Sequence, residues 1–186
     1  MQAIPTEIPD VIELAPKVFG DERGFFLETW NERTYCDAGI RATFVQDNWS
    51  RSRRGILRGL HYQVQQPQGK LVRVTRGSVF DVAVDLRRSS ATFGQHIGRV
   101  LSEENKRALW IPPGFAHGFL VISDEADFVY KCTEFYAPEF DRTLAWNDAT
   151  VAISWPLELV GGRDAVQLSE KDRTKAASWA TAETFA

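Results

Sequence analysis

Histidine is scarce in this chain: there are three, His61, His96 and His117, beside one methionine and two cysteines. A metal site of three histidines and a carboxylate would have to use every imidazole available. The thiols, Cys36 and Cys132, fit neither a C-x-x-C nor a zinc spacing, and two of them make no disulfide framework. They read as reduced thiols of a cytoplasmic protein. No apolar run approaches the ~20 residues that cross a bilayer. The first ten residues, MQAIPTEIPD, hold neither the basic stretch nor the apolar run of a signal peptide, so no membrane partner is expected. Positive charge is not in excess either. Lysine and arginine number 22 against 25 acidic residues, a net charge of −3. That balance gives no general attraction to nucleic acid, and an anionic ligand has to be held by a local basic group. Internal repeats, low-complexity stretches and linkers are also lacking. The expectation is a single domain over 1–186, with Gly161-Gly162 parting its body from a tail after about 161.

Short apolar runs cut by Gly, Pro, Asn and Asp dominate what is present. Strands are expected at Phe25–Leu27, Thr43–Gln46, Leu71–Val74, Ser78–Leu86, Ile97–Leu101, Ala108–Ile111, Gly118–Ile122 and Asp127–Thr133. The runs on either side of Arg76-Gly77 read as a hairpin. In the second run Phe80, Val82, Val84 and Leu86 share an apolar face, while Asp81, Ala83 and Asp85 share the other. Helix is expected only at Thr29–Ala38, in a capped turn at Ser102–Asn105, and from Ser169 to Ala182, where Ser169 caps and Asp172 follows three residues on. Many short strands at this spacing predict an all-β jelly-roll sandwich or barrel with a few short helices and a helical tail.

Pro112-Pro113-Gly114-Phe115-Ala116-His117 fits P-x-G-x-x-H, the second signature of the cupin jelly rolls. Gly55, five residues, then His61-Tyr62-Gln63 resembles the first, in which H-x-H supplies two metal ligands. Here Gln63 stands at the second histidine, and Val64, Gln65 and Gln66 occupy the region of the glutamate. Gln is a poor ligand for transition metals. The frame is cupin-like, and no metal or other cofactor is expected.

A closer resemblance is carried by segments in one order along the chain: Pro16–Phe26, Phe44–Asn48, Leu57-Arg58-Gly59-Leu60-His61, Gln68–Arg73, Trp110–Phe119, Val129-Tyr130-Lys131, Phe135–Pro138 and Leu168–Asp172. In these the chain is similar to the dTDP-4-dehydrorhamnose 3,5-epimerases. The resemblance implies a dTDP-linked 4-keto-6-deoxy sugar as substrate, with epimerisation at C3 and C5, the carbons whose protons the C4 ketone acidifies. It implies a homodimer formed by exchanging or extending strands.

That reaction needs a base, an acid, an enolate stabiliser and a nucleotide anchor. His61 is the expected base, because an imidazole titrates near neutral pH; without the surrounding match it reads more readily as a core histidine. Asp172 would orient it, as a triad carboxylate does, or else complement a helix N-terminus. Lys70 would stabilise charge on the C4 oxygen, where most lysines are simply solvated. Tyr130 would return the proton, or else be an amphipathic core residue. Arg23 and Arg58 are expected on the diphosphate, since a guanidinium fork matches phosphate oxygens. The resemblance adds Glu28, Gln46, Asp47, Asn48, His117, Asp141 and Lys171 as contacts and Tyr136 as the ring stacked on thymine. Arg51, Arg53 and Arg54 read as a solvated loop near the diphosphate, and His96 as an exposed histidine without a role. Two other readings stay open: a related 3- or 5-epimerase or ketoisomerase of the same substrate class, and a non-catalytic nucleotide-sugar-binding cupin that would need the arginines but not His61, Tyr130 and Asp172 together.

Overall fold

The computed structural model describes residues 1–186. Its elements in chain order are β1 (Gln2–Pro5), β2 (Ile12–Ala15), β3 (Val18–Asp21), β4 (Gly24–Leu27), α1 (Glu32–Asp37), β5 (Gln46–Arg53), β6 (Leu57–Gln63), β7 (Lys70–Arg76), β8 (Ser78–Asp85), β9 (His96–Ser102), β10 (Ala108–Ile111), β11 (Phe115–Val121), β12 (Glu125–Cys132), β13 (Asp141–Thr143) and α2 (Glu170–Thr174). Six strands form one sheet in the order β1-β2-β10-β7-β12-β5. Five form the other in the order β13-β6-β11-β8-β9. The two face each other as an antiparallel jelly roll, as the strand pattern predicted. β3 and β4 stand apart as a small hairpin arm.

Alternation along each strand divides the side chains into three layers. Val72 and Val74 of β7, Val79 and Ala83 of β8, Phe119 of β11 and Phe128 of β12 meet between the sheets. Phe80, Val82, Val84 and Leu86 do not enter that interior. They lie on the outer face of the five-stranded sheet, under Trp146, Trp155, Val160 and Ala182. The other face of the same strand turns Asp81 inward, fully buried. The third layer packs Leu14, Tyr35, Leu71 and Trp110 on the outer face of the six-stranded sheet, where α1 lies.

Several local expectations are corrected. β7 and β8 are not a hairpin: they belong to different sheets, and β7 is already paired on both edges, with β10 and β12. Gly77, at φ +70, turns the chain across instead. A Cβ there would sit 1.9 Å from the Glu125 carbonyl oxygen. The segment 43–45 precedes β5 rather than belonging to it, and Arg51 and Arg53 lie in that strand, not in a loop. Arg51 is forked onto Asp127, Nε–Oδ1 2.6 Å and Nη2–Oδ2 2.7 Å. Arg54 bonds Asp124 and the Leu159 carbonyl. α1 starts at Glu32, capped by Asn31, whose Oδ1 accepts from the Arg33 and Thr34 amides. His96 is half-buried at the head of β9, where desolvation pushes its imidazole down.

Of the expected tail helix only Glu170–Thr174 forms. Beyond it the chain crosses the barrel as irregular and bridging segments broken by a turn at Trp179–Thr181. Ala177 exchanges backbone bonds with Thr143 and Ala145, and Phe185 bonds Leu86 and Arg88. Helix propensity over Lys175–Ala182 is outweighed by the apolar surface that Ala177, Trp179, Ala182 and Phe185 cover in the outer core layer.

Candidate active site

The polar residues of the interior come from both sheets. β6 contributes Arg58, His61 and Gln63. Strict alternation would send Arg58 and His61 to opposite faces. A bulge prevents it: His117 pairs with His61 but Phe119 pairs with Arg58, two steps on β11 against three on β6. Close contact between two glycines makes room for the bulge. A Cβ on Gly59 would sit 2.6 Å from Gly118 Cα, and one on Gly118 would sit 2.6 Å from the Arg58 carbonyl oxygen.

His61 Nε2 lies 2.5 Å from Asp172 Oδ1. Asp172 is the buried residue of α2, and its amide is capped by Ser169 Oγ at 3.1 Å. Asp172 thus sits in the first turn of a helix and at the same time contacts the imidazole. Burial pushes its carboxyl up, but the bond from His61, the imidazole charge, the Ser169 hydroxyl and the Gly59 amide together bring it below the ordinary carboxylate value. An ionised Asp172 accepts the Nε2 proton, so Nδ1 of His61 carries the lone pair. His61 keeps a third of its side-chain surface exposed.

Tyr130 lies on the inner face of the opposite sheet. It packs against the interior layer, with Phe128 at 5.9 Å. Burial pushes its phenol up, and Cys132, Asp141 and Tyr136 add to this against the opposing charge of Arg58. The phenol stays protonated and available as a donor. Lys70 opens β7 on the same inner face, and its ammonium is pushed down chiefly by desolvation.

Gln46 and Asn48 point inward from β5. Asn48 Nδ2 donates to Cys132 Sγ at 3.6 Å, and Gln46 Oε1 accepts from the Tyr136 amide at 2.9 Å. At the rim, Tyr136 is 55% exposed and its hydroxyl donates to Asp141 Oδ2 at 2.9 Å. Lys171 is salt-bridged to the same oxygen. Gln63, at the metal-ligand position of a cupin, spends its amide on the backbone: Nε2 donates to the Gln66 and Phe135 carbonyls, and Oε1 accepts from the Ala137 amide. No group of three His, Cys, Asp or Glu side chains comes within metal-binding reach.

Three expected contacts are not brought to this cluster within one chain. Arg23 sits at the exposed tip of the β3–β4 arm, held by Asp21. Glu28 bonds Asn31 and Thr34 beside α1. Asp47 points to the outer face and pairs with Lys131. That face carries a surface cavity of about 410 Å³, lined by Trp30, Asp47, Trp49, Arg73 and Lys131. Two interior residues escaped the sequence reading of the site. Asp81 bonds buried His117, and Cys132 shares the inner face with Tyr130. Alternation was the available signal for both.

A family model described as dTDP-4-dehydrorhamnose 3,5-epimerase matches residues 5–179. The chain belongs to this family. It is similar to the dTDP-4-dehydrorhamnose 3,5-epimerase of Pseudomonas aeruginosa, 60% identical over 174 residues that cover 93% of each chain. Its structure is similar to that of the Legionella pneumophila dTDP-6-deoxy-D-glucose-3,5-epimerase in complex with dTDP-4-keto-L-rhamnose. The TM-score is 0.89 at 53% identity, covering 94% of this chain and 91% of that one. A 3'-monoepimerase from Streptomyces bikiniensis in complex with dTDP-quinovose also superposes, with a TM-score of 0.84 at 30% identity over 93% and 86% of the chains. The epimerase fold is thus shared by enzymes that differ in the centres they invert. Identity to the Pseudomonas and Legionella enzymes is the higher.

Proposed function

We propose that this 3,5-epimerase converts dTDP-4-dehydro-6-deoxy-D-glucose to dTDP-4-dehydro-L-rhamnose with His61 as base and Tyr130 as acid. The observation that carries the reading is their placement on opposite sheets. A sugar lying between them offers one face to each, and inversion requires removal and return on opposite faces. His61 takes the C5 proton; the electron pair moves into an enolate whose oxygen faces Lys70; Tyr130 gives its proton to the opposite face of C5. The enzyme then returns to its starting protonation through water, and the cycle repeats at C3. A preorganised ammonium at the oxygen and a well-placed acid–base pair are each worth about 10²–10⁴ in rate.

Arg58 and Lys171 are the cations of the rim that would meet the diphosphate, and Tyr136 the ring that would stack on thymine. Arg23 and Glu28 find no place at this chain's own site. Phe19, Phe25 and Phe26 of the arm are 51–69% exposed. Both facts support a homodimer in which the arm of one copy reaches the site of the other. Two free thiols, one of them buried, support a reducing, cytoplasmic location. Docking of the tail onto the barrel supports a single folding unit.

Turnover of the 4-keto substrate in deuterated water, followed by NMR, tests the reading. Deuterium at both C3 and C5 of an L-configured product is the expected outcome. Label at one carbon only would establish a single-centre epimerase, and binding without exchange a non-catalytic cupin.

A further inference from the structure

The interior holds a second imidazole–carboxylate pair besides His61 and Asp172. Asp81 on β8 is fully buried, and its Oδ2 accepts from His117 Nε2 at 2.9 Å. Its Oδ1 has no partner within the chain. A buried carboxylate oxygen without a donor costs stability and calls for an explanation. The His117 ring also rests on Phe128, with centroids 6.0 Å apart at 24°. In register it lies opposite Ala83 of β8 on one side and His61 of β6 on the other.

We propose that Asp81 is a positioning residue of the epimerase: one oxygen fixes His117 as the Nε2–H tautomer with Nδ1 left to accept from the substrate, and the other supplies the negative charge that keeps Lys70 an ammonium.

The groups facing Lys70 support this assignment. They are Cys132 from β12, Asp141 from β13, Asp81 from β8, Lys171 from α2 and the His117 imidazole from β11. Burial pushes the Cys132 thiol up, so it brings little charge. Asp141 is already engaged by Lys171 and Tyr136. Lys171 repels. Asp81 is the fully buried carboxylate, with an oxygen that neither solvent nor any group of the chain claims. Desolvation pushes both Lys70 and His117 toward their neutral forms. For His117 neutrality is useful, because an acceptor remains at Nδ1. For Lys70 it would remove the charge that an enolate needs. Asp81 bonds His117 directly and acts on Lys70 through space, so that one can stay neutral and the other charged.

The role of the ammonium rests on the epimerase reading, but the charge states can be read without turnover. Asp81→Asn keeps shape and the bond from His117 while removing the charge. Its alkaline limb of kcat should move to lower pH by about one unit or more, with KM within about threefold, and Asp81→Glu should restore it. An unmoved limb in folded Asp81→Asn overturns the proposal. Should that variant not fold, NMR of the wild-type protein decides. Neutral His117 with its proton on Nε2, and a protonated Lys70 Nζ through pH 8, are expected. A proton on Nδ1 or a neutral amine overturns the assignment. Failure of the epimerase reading shows separately, as wild-type protein that incorporates no deuterium.

Discussion

Arg58 and His61 face the same interior although they stand three residues apart on one strand, because a bulge between them sets Gly59 and Leu60 of β6 against Gly118 alone on β11. The bulge depends on Gly59 and Gly118 passing with less room than a Cβ requires. Gly59→Ala or Gly118→Ala should therefore cost about 1–3 kcal/mol of stability, the usual penalty for overpacking. In whatever protein folds, kcat should fall by at least about tenfold as the 58–61 geometry is lost. Urea denaturation and steady-state assays check both. A fully active, fully stable alanine variant would mean that the contact is loose.

Base and acid should separate in isotope exchange. Tyr130→Phe keeps His61, so substrate protons should still exchange with deuterated solvent while inverted product falls by about 10²–10⁴. His61→Ala should lose exchange and product together. Asp172→Asn should lie between, with the imidazole present but poorly held. Exchange near the wild-type rate in folded His61→Ala would remove His61 from the base role.

The arm can be tested by mixing. Arg23→Ala and His61→Ala chains, each weak alone, should regain activity when unfolded and refolded together. A dimer that crosses its arms then contains one intact site. No recovery in a mixture shown to contain the hybrid dimer would place Arg23 elsewhere. Alone, Arg23→Ala should weaken dTDP binding by roughly 1.5–3 kcal/mol, the range of a charge-assisted hydrogen bond.

The rim should respond to Gln63. Gln63→Ala releases the carbonyls of Gln66 and Phe135 and the amide of Ala137, loosening the segment that carries Tyr136. KM should rise by about tenfold and kcat should change less, because His61 and Asp172 are untouched. Equal losses in both would show that the clamp also shapes the chemical step.

Far from the site, Asp85 is fully buried. Desolvation pushes its carboxyl up, but bonds from Arg87, Ser90 and Thr92 outweigh it and hold the pKa at about 2, below the ordinary carboxylate value. A depressed folded-state value stabilises the fold above the unfolded pKa, and this contribution disappears as pH falls through the folded one. It amounts to about 2 kcal/mol near neutrality. Asp85→Asn should lose at least that much at pH 7, and the gap to wild type should narrow between pH 4 and 2. A constant gap through that window would show that lost hydrogen bonds, not charge, dominate.

The strand-rich jelly roll was legible because period-two patterning is local: Ser78–Asp85 divides into apolar and polar faces in one dimension. What lay beyond reach was the assignment of those faces. Nothing in Phe80-Asp81-Val82 says that the apolar side turns outward under Trp146 and Trp155 while Asp81 turns in. The site was legible where a side chain's chemistry is specific to its neighbours, as at Arg58–His61 and Ser169–Asp172. It was not legible where a residue's place depends on distant strands. Asp47 next to Gln46 and Asn48 looked like their companion, yet alternation sends it to the outer face and Lys131. The tail misled because Ala, Lys and Glu favour helix in isolation, while the exposed back of the five-stranded sheet offers more to a non-helical chain.

Asp172 lies 111 residues after its partner His61 and follows the last strand, β13. All thirteen strands are therefore synthesised before the group that orients the base exists. During translation the barrel can begin to close around its substrate-facing residues while the imidazole still lacks its carboxylate. Catalytic competence is in this sense a check on complete synthesis: the same segment that delivers Asp172 goes on to seal the back of the sheet.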